Sequence, residues 1–293
     1  MLTKHFTRGV RNKDRFYMQD RRRALKERRL REQKQEYFLY LLLGLCITFI
    51  AIITFLVYEA TRPEYYVAPP RKLQEKTESA LKIDFWDKSL KKSAMVDAPF
   101  VSQLPELPRG CEVTSLSMLL NHAGVDVDKL TLAEEVKKDK TPYSVSGGRI
   151  FFGNPYEGFV GDMYDRSRPG FAVFHGPIAE LAEEYLPGRI IDLTGSDFED
   201  ILYPVSAGVP VWVMINVYYR ELEDKYYQTW ETANGKVRIT YKTHSVLLTG
   251  YDETYVYFND PLTNKKNRKV NRYGFEKAWK QMGSQAITYI PEK

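Results

Sequence analysis

The chain has 293 residues, 43% hydrophobic and 28% charged, enough for one large domain with appendages and too apolar for a disordered chain. Its net charge of +5 is uneven: residues 1–36 hold thirteen Lys/Arg against five Asp/Glu, a balance of +8, so the rest sums to −3. The basic character belongs to the tail, which argues against a nucleic-acid-binding domain.

In chain order, residues 1–36 read as a basic cytoplasmic segment. Tyr37 to Tyr58 follows with no charged residue. As a helix it is about 33 Å long, the span of a bilayer core, with Tyr37, Tyr40 and Tyr58 at its ends. A signal peptide would have a shorter apolar run and a small-residue cleavage site, which "VYEATRPEYY" lacks. The basic run "RRRALKERRLREQK" before the span and the near-neutral "EATRPEYYVAPP" after it predict a cytoplasmic N-terminus and an extracytoplasmic C-terminal part. Residues 59–93, with Pro63, Pro69 and Pro70, read as a stalk, and 94–293 as the folded domain. The two cysteines, Cys46 in the span and Cys111 beyond it, cannot pair, which leaves one free thiol in the domain.

Within the domain, Val113, Leu116, Leu119, Leu120 and Ala123 form one apolar helical face after Cys111, ended by Gly124. Thr131 with Glu134 predicts a capped helix over 131–139, and the Gly- and Pro-rich stretch 147–170 a long ordered loop. A helix starts at Gly176 with Pro177 in its first turn, and Ser196 with Glu199 predicts another that ends at Gly208. Val209–Val217 reads as a central strand, and Asn234-Gly235 marks a hairpin. "HSVLLTGY" and "YVYFNDP" read as strands joined at Asp252-Glu253, "YGFEKAWKQMG" as a helix and "QAITYI" as a closing strand. Helices early and antiparallel strands late make the class α+β.

The chemistry centres on Cys111. It follows a Pro-Arg-Gly turn and opens a helix, where the dipole favours a thiolate. A base is needed, and there are four histidines. His5 falls on the cytoplasmic side; His122 lies on the helix of Cys111, roughly 16 Å along its axis; His175 precedes a helix. His244 opens a strand. If its hairpin turns at Asp252-Glu253, the residue opposite His244 falls between Asn259 and Pro261, so Asp260 can accept the imidazole N–H, although register alone does not separate Asp260 from Asn259. Gln103, eight residues before Cys111, offers a side-chain amide to an oxyanion. Dispersed histidines and a single thiol supply no metal site, and "GGRIFFGNPYEG" lacks the lysine of a phosphate loop; no cofactor is expected. Asp162 reads as a turn residue.

Gln103 with "PELPRGCEVTSLSMLL", then "GFVGDMY", "GPIAELAEEY", "GVPVWVMIN", "HSVLLTGYD" and "FNDP", in that order, resemble the bacterial papain-like cysteine peptidases related to the double-glycine leader (bacteriocin-processing) peptidases over about residues 96–290. The resemblance implies a papain-like α+β fold with Cys111 as nucleophile, His244 as base, Asp260 as its orienting acid and Gln103 as oxyanion donor. The chain differs from the export-ATPase form of those peptidases in having one span and no G-x-x-x-x-G-K-[ST] loop, so the substrate does not transfer with the likeness. The expectation is a membrane-anchored, extracytoplasmic peptidase acting on a peptide or protein. Acyl transfer to an amine by the same residues, and a non-catalytic peptide- or wall-binding module on the same fold, are the alternatives.

Overall fold

The computed structural model describes residues 6–61 and 89–292. The chain divides into two units, an N-terminal helix and the domain that follows. The helix, α1 (Phe6–Thr61), is continuous through the basic segment and the apolar run. Among the described residues it is the one helix long and apolar enough to cross a membrane. Most of the expected stalk, 62–88, lies outside the described residues.

Residues just before Ala94 already contact the domain. Lys91 bonds Ser206 through its backbone N–H and its ammonium, and its carbonyl accepts from the Tyr251 hydroxyl. After β1 (Ala94–Met95) come α2 (Cys111–His122) and α3 (Lys129–Glu135). Four short strands follow: β2 (Lys138–Asp139), β3 (Ser144–Ser146), β4 (Arg149–Phe151) and β5 (Phe159–Val160). Next are α4 (His175–Tyr185), β6 (Ile190–Asp192), α5 (Leu202–Ser206) and β7 (Val211–Asn216). The chain closes with β8 (Gln228–Thr232), β9 (Gly235–Ile239), β10 (Thr243–Tyr251), β11 (Tyr255–Asp260), β12 (Lys265–Asn271), α6 (Arg272–Gln281) and β13 (Ala286–Tyr289).

The main sheet runs β12-β11-β10-β7-β13-β6, with β1 added beside the end of β10, and every pairing in it is antiparallel. β7 is buried along its whole length, as a central strand covered on both faces should be, and this explains its unbroken apolar run. Helix α2 packs on β10 and β7, and α6 packs on β7, β11 and β12. The apolar face read from Val113, Leu116, Leu119 and Leu120 is buried. The fold is the expected mix of helices and antiparallel sheet.

Three local expectations are corrected. The helix predicted over 131–139 runs over Lys129–Glu135, because Asp128 accepts the Leu130 and Thr131 N–H groups and caps it three residues earlier than Thr131 would, and residues 138–139 are a strand. The stretch 147–170 is not all loop: it holds β4 and β5, too short to show a period. The helix expected after Ser196 is reduced to Leu202–Ser206, since the Ser196 hydroxyl donates to the Leu193 carbonyl instead of capping. The hairpin near Asn234-Gly235 is present; Thr232 pairs with Gly235, so the turn residues are Ala233 and Asn234.

Candidate active site

Cys111 is the first residue of α2, with Gly110 as its cap and no side-chain cap. Glycine is required there: a Cβ on Gly110 would lie 2.6 Å from the Leu107 Cβ. Trp212 on β7 fixes the helix start by donating from Nε1 to the Glu112 carbonyl at 3.0 Å. Cys111 is 8% exposed and lines a cavity of about 270 Å³ together with Gln103, Arg109, Arg166, Phe171, Tyr241, Thr243 and His244.

His244 is buried at the start of β10 and its Nε2 lies 2.9 Å from Asp260 Oδ1 at the end of β11. That bond leaves Nδ1 as the free ring nitrogen. The ladder pairs Leu247 with Asn259, and its register shifts between Leu248 and Gly250, so His244 and Asp260 meet across the strands diagonally rather than directly opposite. Asn259 turns away: its amide donates to the Pro99 carbonyl at 2.9 Å and its oxygen accepts the Asn267 N–H.

Asp260 is fully buried, and the two carboxylate oxygens accept from six donors. Besides His244 these are the Tyr219 hydroxyl at 2.8 Å, the Arg268 guanidinium at 2.8 Å, the Thr263 hydroxyl, and the Leu262 and Thr263 N–H groups. Burial alone would raise its pKa; the His244 bond and charge, with Thr263 and Tyr219, outweigh it and hold the carboxyl well below the usual carboxylate range. Tyr219 reaches this position with φ 52°, a strained setting for a residue with a side chain, and the Arg268 guanidinium lies 4.5 Å over its ring.

Gln103 is buried beside Cys111, and its amide nitrogen donates to the Leu107 and Pro108 carbonyls at 3.1 and 3.2 Å, while its oxygen has no partner. The other two described histidines, His122 and His175, serve elsewhere, and His5 lies outside the described residues. His122 Nδ1 lies 2.7 Å from the Tyr289 hydroxyl, and His175 Nδ1 lies 2.6 Å from Asp192. Asp162 is a turn residue, accepting the Tyr164 and Asp165 N–H groups. Among the described residues no group of His, Cys, Asp or Glu is placed to hold a metal ion.

Sequence reasoning passed over two parts of the site. Arg109 donates to four carbonyls, those of Asp162, Asp165, Arg166 and Arg168, and Arg166 returns a bond to the Pro108 carbonyl. Together they fasten the 161–170 loop as one wall of the cavity. Glu112 is buried directly after the nucleophile position, a carboxyl inside an apolar helix face, which was the available signal. Burial, then the charge of Glu112, raises the Cys111 thiol well above its ordinary value.

Residues 95–287 match the profile of the Peptidase_C39 like family. The chain belongs to this family. The uncharacterized protein YvpB of Bacillus subtilis (strain 168) is 48% identical over 203 residues, covering 68% of this chain and 78% of that one. A crystal structure of a candidate C39-like peptidase from Bacillus anthracis matches with a TM-score of 0.65 and 47% identity, covering 69% of this chain and all of that one. A double-glycine motif protease aligns with a TM-score of 0.34 and 15% identity, too distant to carry an argument. Family and fold together support a function of the cysteine-peptidase type, with a peptide or protein as substrate.

Proposed function

We propose that the chain is a single-pass membrane cysteine peptidase with its catalytic domain outside the cytoplasm. The observation that carries this is a histidine fixed through Nε2 on a buried carboxylate, in the same cavity as a thiol at a helix start. His244 Nδ1 takes the Cys111 proton and later gives it to the leaving amine, while Asp260 keeps the imidazole in the tautomer and orientation that allow both transfers. The thiolate attacks the peptide carbonyl, the amine leaves, and water hydrolyses the resulting thioester. The Cys111 N–H and Gln103 receive the oxyanion; Gln103 does so by releasing one of its two carbonyls. Residues 1–36 serve as the cytoplasmic segment, 37–58 as the span and 59–93 as the stalk, with orientation set by the basic run before the span.

A second reading, a non-catalytic peptide- or wall-binding module, draws on the engaged Gln103 amide and on a thiol whose proton points at Glu112. One variant separates the two. With a mixed peptide library as substrate and mass spectrometry as readout, Cys111→Ala lowers turnover by at least about 10⁴-fold and leaves the melting temperature nearly unchanged. Undiminished cleavage by that variant sinks the peptidase reading.

A further inference from the structure

Glu112 takes no part in the mechanism above, yet it touches its central atom. The residue is 1% exposed. One carboxylate oxygen accepts the Val173 N–H at 3.3 Å, and the other lies 3.3 Å from Cys111 Sγ. Among the described residues the carboxyl bonds the Val173 N–H and the thiol and forms no salt bridge. A buried carboxylate without a cation is costly unless N–H and other hydrogen donors satisfy it. Here one of those donors is the nucleophile. The thiol's hydrogen bond therefore goes to Glu112, and among the described residues none joins Cys111 Sγ to His244.

We propose that Glu112 is a positioning residue that restrains Cys111: in the resting site its carboxylate takes the thiol hydrogen bond and keeps the proton on sulfur, away from the His244 imidazole. The inference rests on the reading of Cys111 as nucleophile. Activation breaks the S–H···O contact and turns the thiol toward His244 Nδ1. The proton then passes to the imidazole, leaving a thiolate beside an imidazolium and Glu112 still ionised. Protonation of Glu112 from solvent has the same effect by another route, because the carboxyl then stops repelling a thiolate and can donate to it. Burial pushes the Glu112 carboxyl up to about 7, so that this route opens near neutral pH.

The other charged or titratable groups around it are accounted for. From β10 and β11 come His244 and Asp260, with Tyr219 and Arg268 behind them. From the cavity wall come Arg109, Arg166 and Tyr241, and from α4 comes His175, paired with Asp192. Among the described residues, Cys111 is the titratable side chain that bonds to the carboxyl.

The test is the rate of Cys111 alkylation by iodoacetamide in the full chain in detergent, from acid to mildly alkaline pH. Mass spectrometry of the Cys111 peptide separates it from Cys46. Glu112→Gln keeps an acceptor for the Val173 N–H and removes the charge. Its thiol is expected to react on the order of tenfold faster than the wild type at neutral pH, equivalent to a fall of about one unit in thiol pKa. An unchanged rate overturns the proposal, and so does a slower one, which would make Glu112 a base rather than a restraint. Should the variant lack the wild-type near-UV circular dichroism, the wild-type profile decides: a second inflection near the Glu112 value supports the restraint, and a single thiol titration overturns it. Failure of the nucleophile reading is visible separately, as cleavage that survives Cys111→Ala.

Discussion

His244–Asp260 and His175–Asp192 are built from the same parts in one domain: a buried imidazole, a carboxylate within 2.9 Å or less, and a strand that holds the acid. Their surroundings separate them. His244 bonds its acid through Nε2 and lines the cavity that Cys111 lines. His175 bonds through Nδ1, gives its backbone N–H to Gln285 and packs edge-on to Tyr156, with no thiol and no cavity among these contacts. On the proposed reading, the carboxylate of the first pair orients a ring that acts on the Cys111 thiol. In the second, the imidazole–carboxylate hydrogen bond ties α4 to β6. A buried histidine–carboxylate bond is thus no sign of catalysis until the ring's other nitrogen is followed to a reactive atom.

The comparison breaks most sharply on the histidines themselves. His244→Ala is expected to lower peptide turnover by roughly 10³–10⁴-fold. His175→Ala should leave turnover within about threefold but cost about 3 kcal/mol in stability, because it leaves the largely buried Asp192 with the Thr194 N–H but without its imidazole partner. Steady-state kinetics beside urea unfolding of both variants checks this, and equal activity losses would erase the distinction drawn between the pairs.

A carboxyl without a histidine partner sharpens it. Asp192 and Asp260 are both held below the ordinary carboxylate value, their histidine bonds outweighing burial, whereas Glu112 has no such partner and burial raises it from 4.5 to about 7. A carboxyl whose pKa is raised on folding favours the native state in acid and loses that contribution as pH climbs through the folded value. Stability from Glu112 is therefore full below about pH 4.5 and declines by about 3 kcal/mol as pH rises past 7. Urea unfolding of Glu112→Gln across this range should lack the decline; a parallel decline in both proteins would place its origin elsewhere.

The smallest expected effect belongs to Gln103. Its amide hydrogens are engaged by two carbonyls, so Gln103→Ala should cost about tenfold in turnover, less than the usual 10²–10³-fold for an oxyanion donor. A larger loss in kcat, at unchanged KM, would mean that the amide is released fully in the transition state.

What the sequence made legible followed from local rules. Cys111 at a helix mouth, the apolar face behind it, β7 as an unbroken apolar run and the β10–β11 hairpin were each visible from spacing and turn residues. Asp260 could be narrowed only to a pair with Asn259, because the register shift after Leu248 has no signature in the residues; the fold separates them by bonding Asn259 to the 98–99 segment. The strand at 149–151 pairs with the neighbouring 144–146 and at one position with Glu231, and that at 159–160 pairs with Lys138 and Asp139; at three and two residues they are too short to leave a periodic trace. Tyr219 and Arg109 act across 40 to 60 positions of chain, contacts that a linear reading does not contain, whereas Arg268 reaches Asp260 from eight positions away. Glu112 was in plain view, but its meaning depends on which way the thiol turns.

The central claim is that His244 makes the Cys111 sulfur reactive and that His175 has no part in it. Labelling of the full chain in detergent with an acyl-electrophile probe, quantified on the Cys111 peptide, measures this without knowledge of the substrate. The expected result is strong labelling in the wild type and in His175→Ala, and its loss in His244→Ala. Equal labelling with and without the His244 imidazole would contradict the account.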